Sequence, residues 1–156
     1  MNGPAAKARL QVQGTCVALD GAGVLLRGAS GAGKSDLALR LIDAGAALVC
    51  DDLCEIRRDG ERLLADLPAG VDASFRGRIE ARGQGLLSVP YAGPVPLVLV
   101  ADLIPGGAPE RLPEPAKVQF LGLALPLIVL DPFQASAAAR LRLVARQTSK
   151  TIMRPP

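Results

Sequence analysis

Residues 24–45, "VLLRGASGAGKSDLALRLIDAG", decide the fold. The stretch opens as an apolar strand and fits G-x-x-x-x-G-K-[ST] at residues 28–35. It closes with Leu37, Ala38, Leu41 and Ile42 at helical spacing, stopped by Gly45. Strand, glycine loop and helix thus come in the order a phosphate-binding loop requires. Gly28, Gly31 and Gly33 let the backbone through Ala29, Ser30 and Ala32 wrap an anion with its N–H groups inward, and the following helix adds its positive end. In this pattern Lys34 reaches the β- and γ-phosphates and the Ser35 hydroxyl holds Mg²⁺. A chance glycine turn is the bland alternative, and it does not account for the strand and helix that flank the loop.

Outward from this unit, "TCVALD", "DGAG" and "VLLRG" predict a strand, a turn and the strand that enters the loop. "AALVCDD" predicts a buried strand ending in two aspartates, and "CEIRRDGERLLAD" a hairpin turning at Asp59 and Gly60. The glycine-rich "LPAGVDASFRGRIEARGQGLLSVPYAG" reads as loops around a short element. "VPLVLVAD" reads as a central strand, and "LIPGGAPERLPEPAK" as a proline-rich wrapping loop. "VQFLGLALPLIVLD" supplies one or two more strands. From Gln134 to about Lys150 the pattern is helical, with Ala137, Leu141, Val144 and Ala145 on one side and a basic face of Arg140, Arg142, Arg146 and Lys150. The expectation is one α/β domain over 1–156 with flexible ends at 1–11 and 151–156.

With 156 residues, 49% of them hydrophobic and 21% charged, the composition is that of a soluble globular domain. No apolar run approaches the ~18 residues of a membrane span, and the N-terminal stretch lacks the apolar core of a signal peptide. Neither a membrane association nor a secreted product is expected, so the protein is placed in the cytoplasm. Cys16, Cys50 and Cys54 suit a reducing compartment and read as small core residues rather than as a disulfide framework. A net charge of +3 with three Phe, one Tyr and no Trp is poor equipment for nucleic acid. The chain has no histidine, so acid/base work falls to carboxylates or lysine.

Three further segments bear on chemistry. The strand "LVCDD" delivers Asp51 and Asp52, either to the metal and the attacking hydroxyl or to solvent as ordinary strand-end acids; two adjacent like charges favour a function or a neighbouring cation. Since histidine is absent, one of the pair is the natural proton acceptor. "IEARGQG" sets Glu80 and Arg82 among glycines, and "PERLPEP" sets Arg111 on a loop. Alone, both of these read as solvated surface.

Taken in order, "GASGAGKSDLALRLIDAGAALVCDDLCEI", "IEARGQG", "PERL" and "LGLALP" resemble the HPr kinase/phosphorylase family, in a short bacterial form reduced to the C-terminal catalytic domain. The resemblance implies a P-loop kinase domain with a mixed sheet and helices packed on it, related to phosphoenolpyruvate carboxykinase rather than to the usual parallel P-loop sheet. It implies ATP on Gly28, Ala29, Ser30, Gly31, Ala32, Gly33, Lys34 and Ser35, and Mg²⁺ on Ser35 and Glu80. Of the catalytic residues, Lys34 serves the phosphates, Asp52 accepts the proton and Arg111 steadies the transferring group. The implied substrate is the serine of HPr or a nitrogen-type homologue, and the implied assembly is a homo-oligomer, often a hexamer.

Two departures from the family pattern stand out. Gln13 occupies the place of a usual histidine, and glutamine carries neither proton nor charge at neutral pH. "LDPFQA" replaces a proline- and arginine-rich loop associated with the reverse reaction, so phosphorolysis is expected to be weak. The alternatives on the same scaffold are a small-molecule kinase and a non-catalytic nucleotide-sensing regulator.

Overall fold

The computed structural model of the chain describes residues 8–107 and 113–152. In chain order the elements are β1 (Arg9–Gln13), β2 (Thr15–Leu19), β3 (Ala22–Arg27), α1 (Lys34–Asp43), β4 (Ala47–Cys50), β5 (Leu53–Asp59) and β6 (Arg62–Asp66). They continue with β7 (Arg78–Ala81), β8 (Gly85–Ser88), β9 (Val95–Leu103), β10 (Ala116–Phe120), β11 (Leu123–Leu130) and α2 (Ala137–Ile152). Among the described residues nine strands form one mixed sheet, and β7 and β8 form a separate antiparallel pair.

The hub is β9, whose uninterrupted apolar run marks a strand covered on both faces. One of its edges pairs in parallel with β3. The other edge is shared, with Val95 and Pro96 on β6 and residues 100–103 in parallel with β11. The sheet therefore divides at β9: β6, β5 and β1 continue one way, while β11 and β10 form a second wing. Between Gly23↔Leu97 and Val24↔Leu99 the register slips by one, leaving Val98 as a bulge residue. A Cβ on Gly23 would meet the Pro96 carbonyl oxygen at 2.9 Å, so the strand that feeds the phosphate loop has a glycine at its second position.

Each face of the sheet buries its own core. On one, Val17, Val24, Leu26, Leu48 and Leu99 pack against Leu37 and Leu41 of α1 and Ala137, Leu141 and Ala145 of α2. On the other, Leu25, Leu97 and Val100 are covered by Ile56, Leu63 and Ala65 from β5 and β6 and by Phe120 and Leu125 from β10 and β11. Cys16, Cys50 and Cys54 lie together in this second core as free thiols. Hydrogen bonding to the Cys54 sulfur, and then burial, push the thiols of Cys16 and Cys50 well up, so these two stay protonated.

The predicted helix after the glycine loop runs over Lys34–Asp43 and closes as a Schellman motif. Ala46 N–H donates to the Leu41 carbonyl at 3.0 Å and Gly45 N–H to that of Ile42 at 2.9 Å, with Gly45 at φ 111°. Two segments differ from their sequence reading. The glycine-rich stretch expected as loops around one short element holds two strands, the β7–β8 hairpin, in which Ile79 and Ala81 are buried while Arg78 and Glu80 face solvent. Residues 9–11, part of the stretch expected as a flexible end, belong to β1 and pair antiparallel with β5.

Strand direction places the functional residues. Because β2 runs antiparallel to both β3 and β4, those two strands point the same way. The loop after β3, residues 28–33, and the aspartates after β4, Asp51 and Asp52, therefore emerge at one edge of the sheet, with the start of β2 between them. The parallel strands β9 and β11 end at that edge too, the position where open α/β sheets bind ligands. Arg27 and Asp102, register partners at the ends of β3 and β9, tie the edge together with contacts of 2.7 and 3.1 Å.

Candidate functional site

The helix α1 starts at Lys34 without a side-chain cap: Gly33, the residue before it, is left-handed at φ 93°. The first-turn N–H groups, which no intrahelical carbonyl can satisfy, are thus aimed into the loop and suit an anion. The loop is tight. Ala32 N–H donates to the Ala29 carbonyl at 2.9 Å, and a Cβ on Gly33 would stand 3.1 Å from both Pro132 Cγ and Phe133 Cζ. Lys34 Nζ lies on the Gly28 and Ala29 carbonyls at 2.7 and 3.1 Å, so its charge rests at the mouth of the loop.

The loop opens into a cleft of about 820 Å³ lined by Lys34, Ser35, Asp52, Glu80, Arg82 and Gln13, among others. These residues, singled out in the sequence, are therefore brought together with Gly28, Ala29, Ser30, Gly31 and Gly33 of the loop, Arg82 and Gln13 included, while Ala32 is buried behind them. Arg111 lies outside the described residues.

The two aspartates have different surroundings. Asp51 is half-buried and fully engaged: its Oδ1 accepts from Thr15 Oγ1 at 2.9 Å and from Ser35 Oγ at 3.1 Å, and its Oδ2 from the Glu80 backbone N–H at 3.3 Å. It ties β2, α1 and β7 into one unit. Asp52 is exposed to the cleft, and its carboxylate has no hydrogen-bond or ion-pair partner among the described residues. Its backbone adopts φ 65° and its carbonyl accepts from Gly14 N–H at 3.0 Å, which fixes the turn. The left-handed conformation is one that aspartate and asparagine tolerate better than most residues.

The sequence reading missed Thr15, and it singled out Asp52 only through the family resemblance, leaving Asp51 without a role. The Thr15 hydroxyl is fully buried, so its partnership with Asp51 satisfies a group that would otherwise cost about 1–3 kcal/mol. The only sequence signal is that Thr15 opens the strand antiparallel to both the loop strand and the aspartate strand.

Among the described residues no group of three or more His, Cys, Asp or Glu side chains could hold a metal alone. The oxygen donors on the cleft, the Ser35 hydroxyl and the Glu80 carboxylate, are of the kind Mg²⁺ takes together with phosphate oxygens and water. Ser35 and Glu80, both on the cleft, are the side chains placed to contribute, with Asp51 orienting the hydroxyl of Ser35. No helix among the described residues is long and apolar enough to cross a membrane.

Comparison with known proteins bears on the same residues. The chain is 41% identical over 78 residues to the HPr kinase/phosphorylase of an Exiguobacterium species, and 46% identical over 79 residues to that of Chlorobium limicola. These stretches take in 50% and 51% of the chain but 24% and 23% of the relatives, so the match spans about a quarter of their length. In fold, the chain is similar to the Hpr(Ser) kinase/phosphatase structure from Coxiella burnetii, with a TM-score of 0.78 and 23% identity, over 92% of this chain and 99% of that one. The family model for the HPr Serine kinase C-terminal domain matches residues 5–92, a span holding the phosphate loop, the aspartate pair and Glu80. Since that match takes in more than half of the sequence, the chain belongs to the HPr Serine kinase C-terminal domain family.

Proposed function

We propose that the chain is an ATP- and Mg²⁺-dependent protein serine kinase acting on an HPr-type phosphocarrier, as a single catalytic domain in the cytoplasm that assembles as a homo-oligomer. The observation that carries this reading is the contrast at the aspartate pair: Asp51 is committed to Ser35 and Thr15, while Asp52, in the same cleft as the phosphate loop, has no partner among the described residues. A nucleotide-binding regulator needs the first arrangement only. A kinase without histidine needs both.

In this mechanism the loop amides and Lys34 hold the phosphates of ATP and orient the γ-phosphoryl group. Ser35 and Glu80 would hold Mg²⁺, which supplies neutralisation of phosphate charge. Asp52 takes the proton of the substrate serine as its oxygen bonds to the γ-phosphorus. The bond to the bridging oxygen breaks and ADP leaves. Arg111 is the residue assigned to steady the equatorial charge.

Incubating the protein with labelled ATP and HPr tests the reading. Label on the serine of HPr supports it; label on a small metabolite, or nucleotide binding without turnover, would sink it in favour of the two alternatives. The same preparation tests direction. The segment between β11 and α2, "DPFQAS", brings Asp131 and no cation to the edge where a second phosphate would have to sit, so serine-phosphorylated HPr with inorganic phosphate is expected to release pyrophosphate far more slowly than HPr is phosphorylated. Comparable rates would show that other cations, such as Arg82, supply that site.

A separate prediction concerns Asp51. Asp51→Ala strips the orienting partner from Ser35 and leaves the buried Thr15 hydroxyl without its acceptor, so a loss of about 10–100-fold in Mg²⁺ affinity or activity is expected. The check is the Mg²⁺ concentration giving half-maximal rate; an unchanged value would remove Asp51 from the metal site.

A further inference from the structure

We infer that Phe133 is the platform on which the base of the bound nucleotide stacks, an assignment that rests on the nucleotide reading above and extends it from the phosphates to the other end of the ligand. The loop fixes only the phosphate end. The carboxyl edge of β3, β9 and β11, beside the loop, is where open α/β sheets take the rest of such a ligand. The turn that leaves β11 brings Phe133 to that edge, directly against a residue of the phosphate loop. A Cβ at Gly33 would lie 3.1 Å from Phe133 Cζ and 3.2 Å from its Cε1.

The ring is exposed and its backbone is held. Phe133 is 58% exposed. Its N–H donates to Asp131 Oδ1 at 3.0 Å, the preceding Pro132 is buried, and the Pro132 carbonyl accepts from Arg40 of α1. Arg40 is in turn paired with Asp36, which lines the cleft, at 3.1 Å. The helix that carries the phosphate loop thus also holds the backbone of the turn that bears the ring. Such a turn is preorganised for a ligand, since little ordering remains when one binds.

The other aromatic residues do not compete. Phe120 is buried in the second core; Tyr91 and Phe75 are exposed as Phe133 is, but Tyr91 lies against Gly77 and Phe75 in the turn Ala73–Phe75, and of the aromatic residues only Phe133 stands against a glycine of the phosphate loop. The turn around Phe133 has no lysine or arginine between Leu130 and Ala139, so it has no charge to offer the phosphates. What it offers is a flat apolar face, which matches a base and not a phosphate.

The test exploits the absence of tryptophan from the chain. Phe133→Trp creates a single reporter, whose fluorescence is expected to change on adding ATP and not on adding tripolyphosphate. Phe133→Ala and Phe133→Leu, the second keeping apolar packing on Gly33, are each expected to weaken ATP binding by about tenfold, the scale of one lost base stack, while tripolyphosphate binding stays unchanged. Equal weakening of both ligands would show that Phe133 merely shapes the loop, and overturn the inference. Unchanged binding of both would place the base elsewhere and overturn it too. If the wild-type protein binds tripolyphosphate but gains nothing from the adenosine of ATP, the stacking inference fails and the phosphate site stands. If it binds neither, the nucleotide reading fails and takes the inference with it.

Discussion

Asp52→Asn is expected to lower the rate of HPr phosphorylation by about 10²–10⁴ while leaving ATP binding within a factor of about two, the range general-base catalysis sets for losing a proton acceptor. The substitution is close to isosteric, and asparagine tolerates the left-handed backbone that Asp52 adopts at φ 65°. The Asp52 carboxylate has no partner among the described residues, so neutralising it leaves no donor or cation stranded. The carbonyl of Asp52 still accepts from Gly14, and the turn keeps its shape. What disappears is the capacity to take a proton beside the phosphate loop. An asparagine variant that phosphorylates HPr at close to the wild-type rate would show that the serine proton leaves by another route. Asp51 would be a poor substitute, since both of its oxygens are already accepting hydrogen bonds.

That division between neighbours shows where sequence reading succeeds and where it stops. The phosphate loop was legible because its chemistry is local: glycine spacing, a lysine and a hydroxyl, an apolar strand before and a 3.6-residue period after. The strand β9 was legible because a run such as "VPLVLVAD" suits only a strand buried on both faces. Within "CDD" the resemblance pointed to Asp52, but the role of Asp51 was not legible, because it depends on registry between strands distant in sequence. Thr15 reaches Asp51 across 36 positions, and only the antiparallel pairing of β2 with β4 brings them together. The β7–β8 hairpin escaped for another reason. Strands of four residues among Gly77, Gly83 and Gly85 give too few alternations for the period to stand out. The edge strand β1, "RLQVQ", pairs along one side only and alternates polar with apolar residues, so it reads as a polar arm until β5 is set beside it.

Lys34→Ala is expected to reduce the phosphorylation rate by about 10²–10³ and to weaken ATP binding as well, in contrast to Asp52→Asn, which spares binding. Removing one preorganised donor aimed at developing charge has about this effect on turnover. The ground-state loss follows from position: Lys34 is the first residue of α1, at the mouth of a cleft where no other lysine is found among the lining residues. Its ammonium now bridges the carbonyls of Gly28 and Ala29, contacts at 2.7 and 3.1 Å that it would exchange for phosphate oxygens. Losing those contacts has its own effect on the loop, and thermal unfolding separates the two. Hydrogen bonds of this exposed kind contribute about 0.5–1.5 kcal/mol each at most, so the melting temperature should move by a few degrees only. A variant that melts far below the wild type would make Lys34 chiefly a clamp on the loop. One that melts normally and still binds ATP and phosphorylates HPr as the wild type does would take Lys34 off the phosphates altogether. The expected result lies between these: a folded protein whose phosphate loop keeps its shape, with its amides and the end of α1 still facing the anion, but without the mobile charge that follows the γ-phosphoryl group as it leaves ATP.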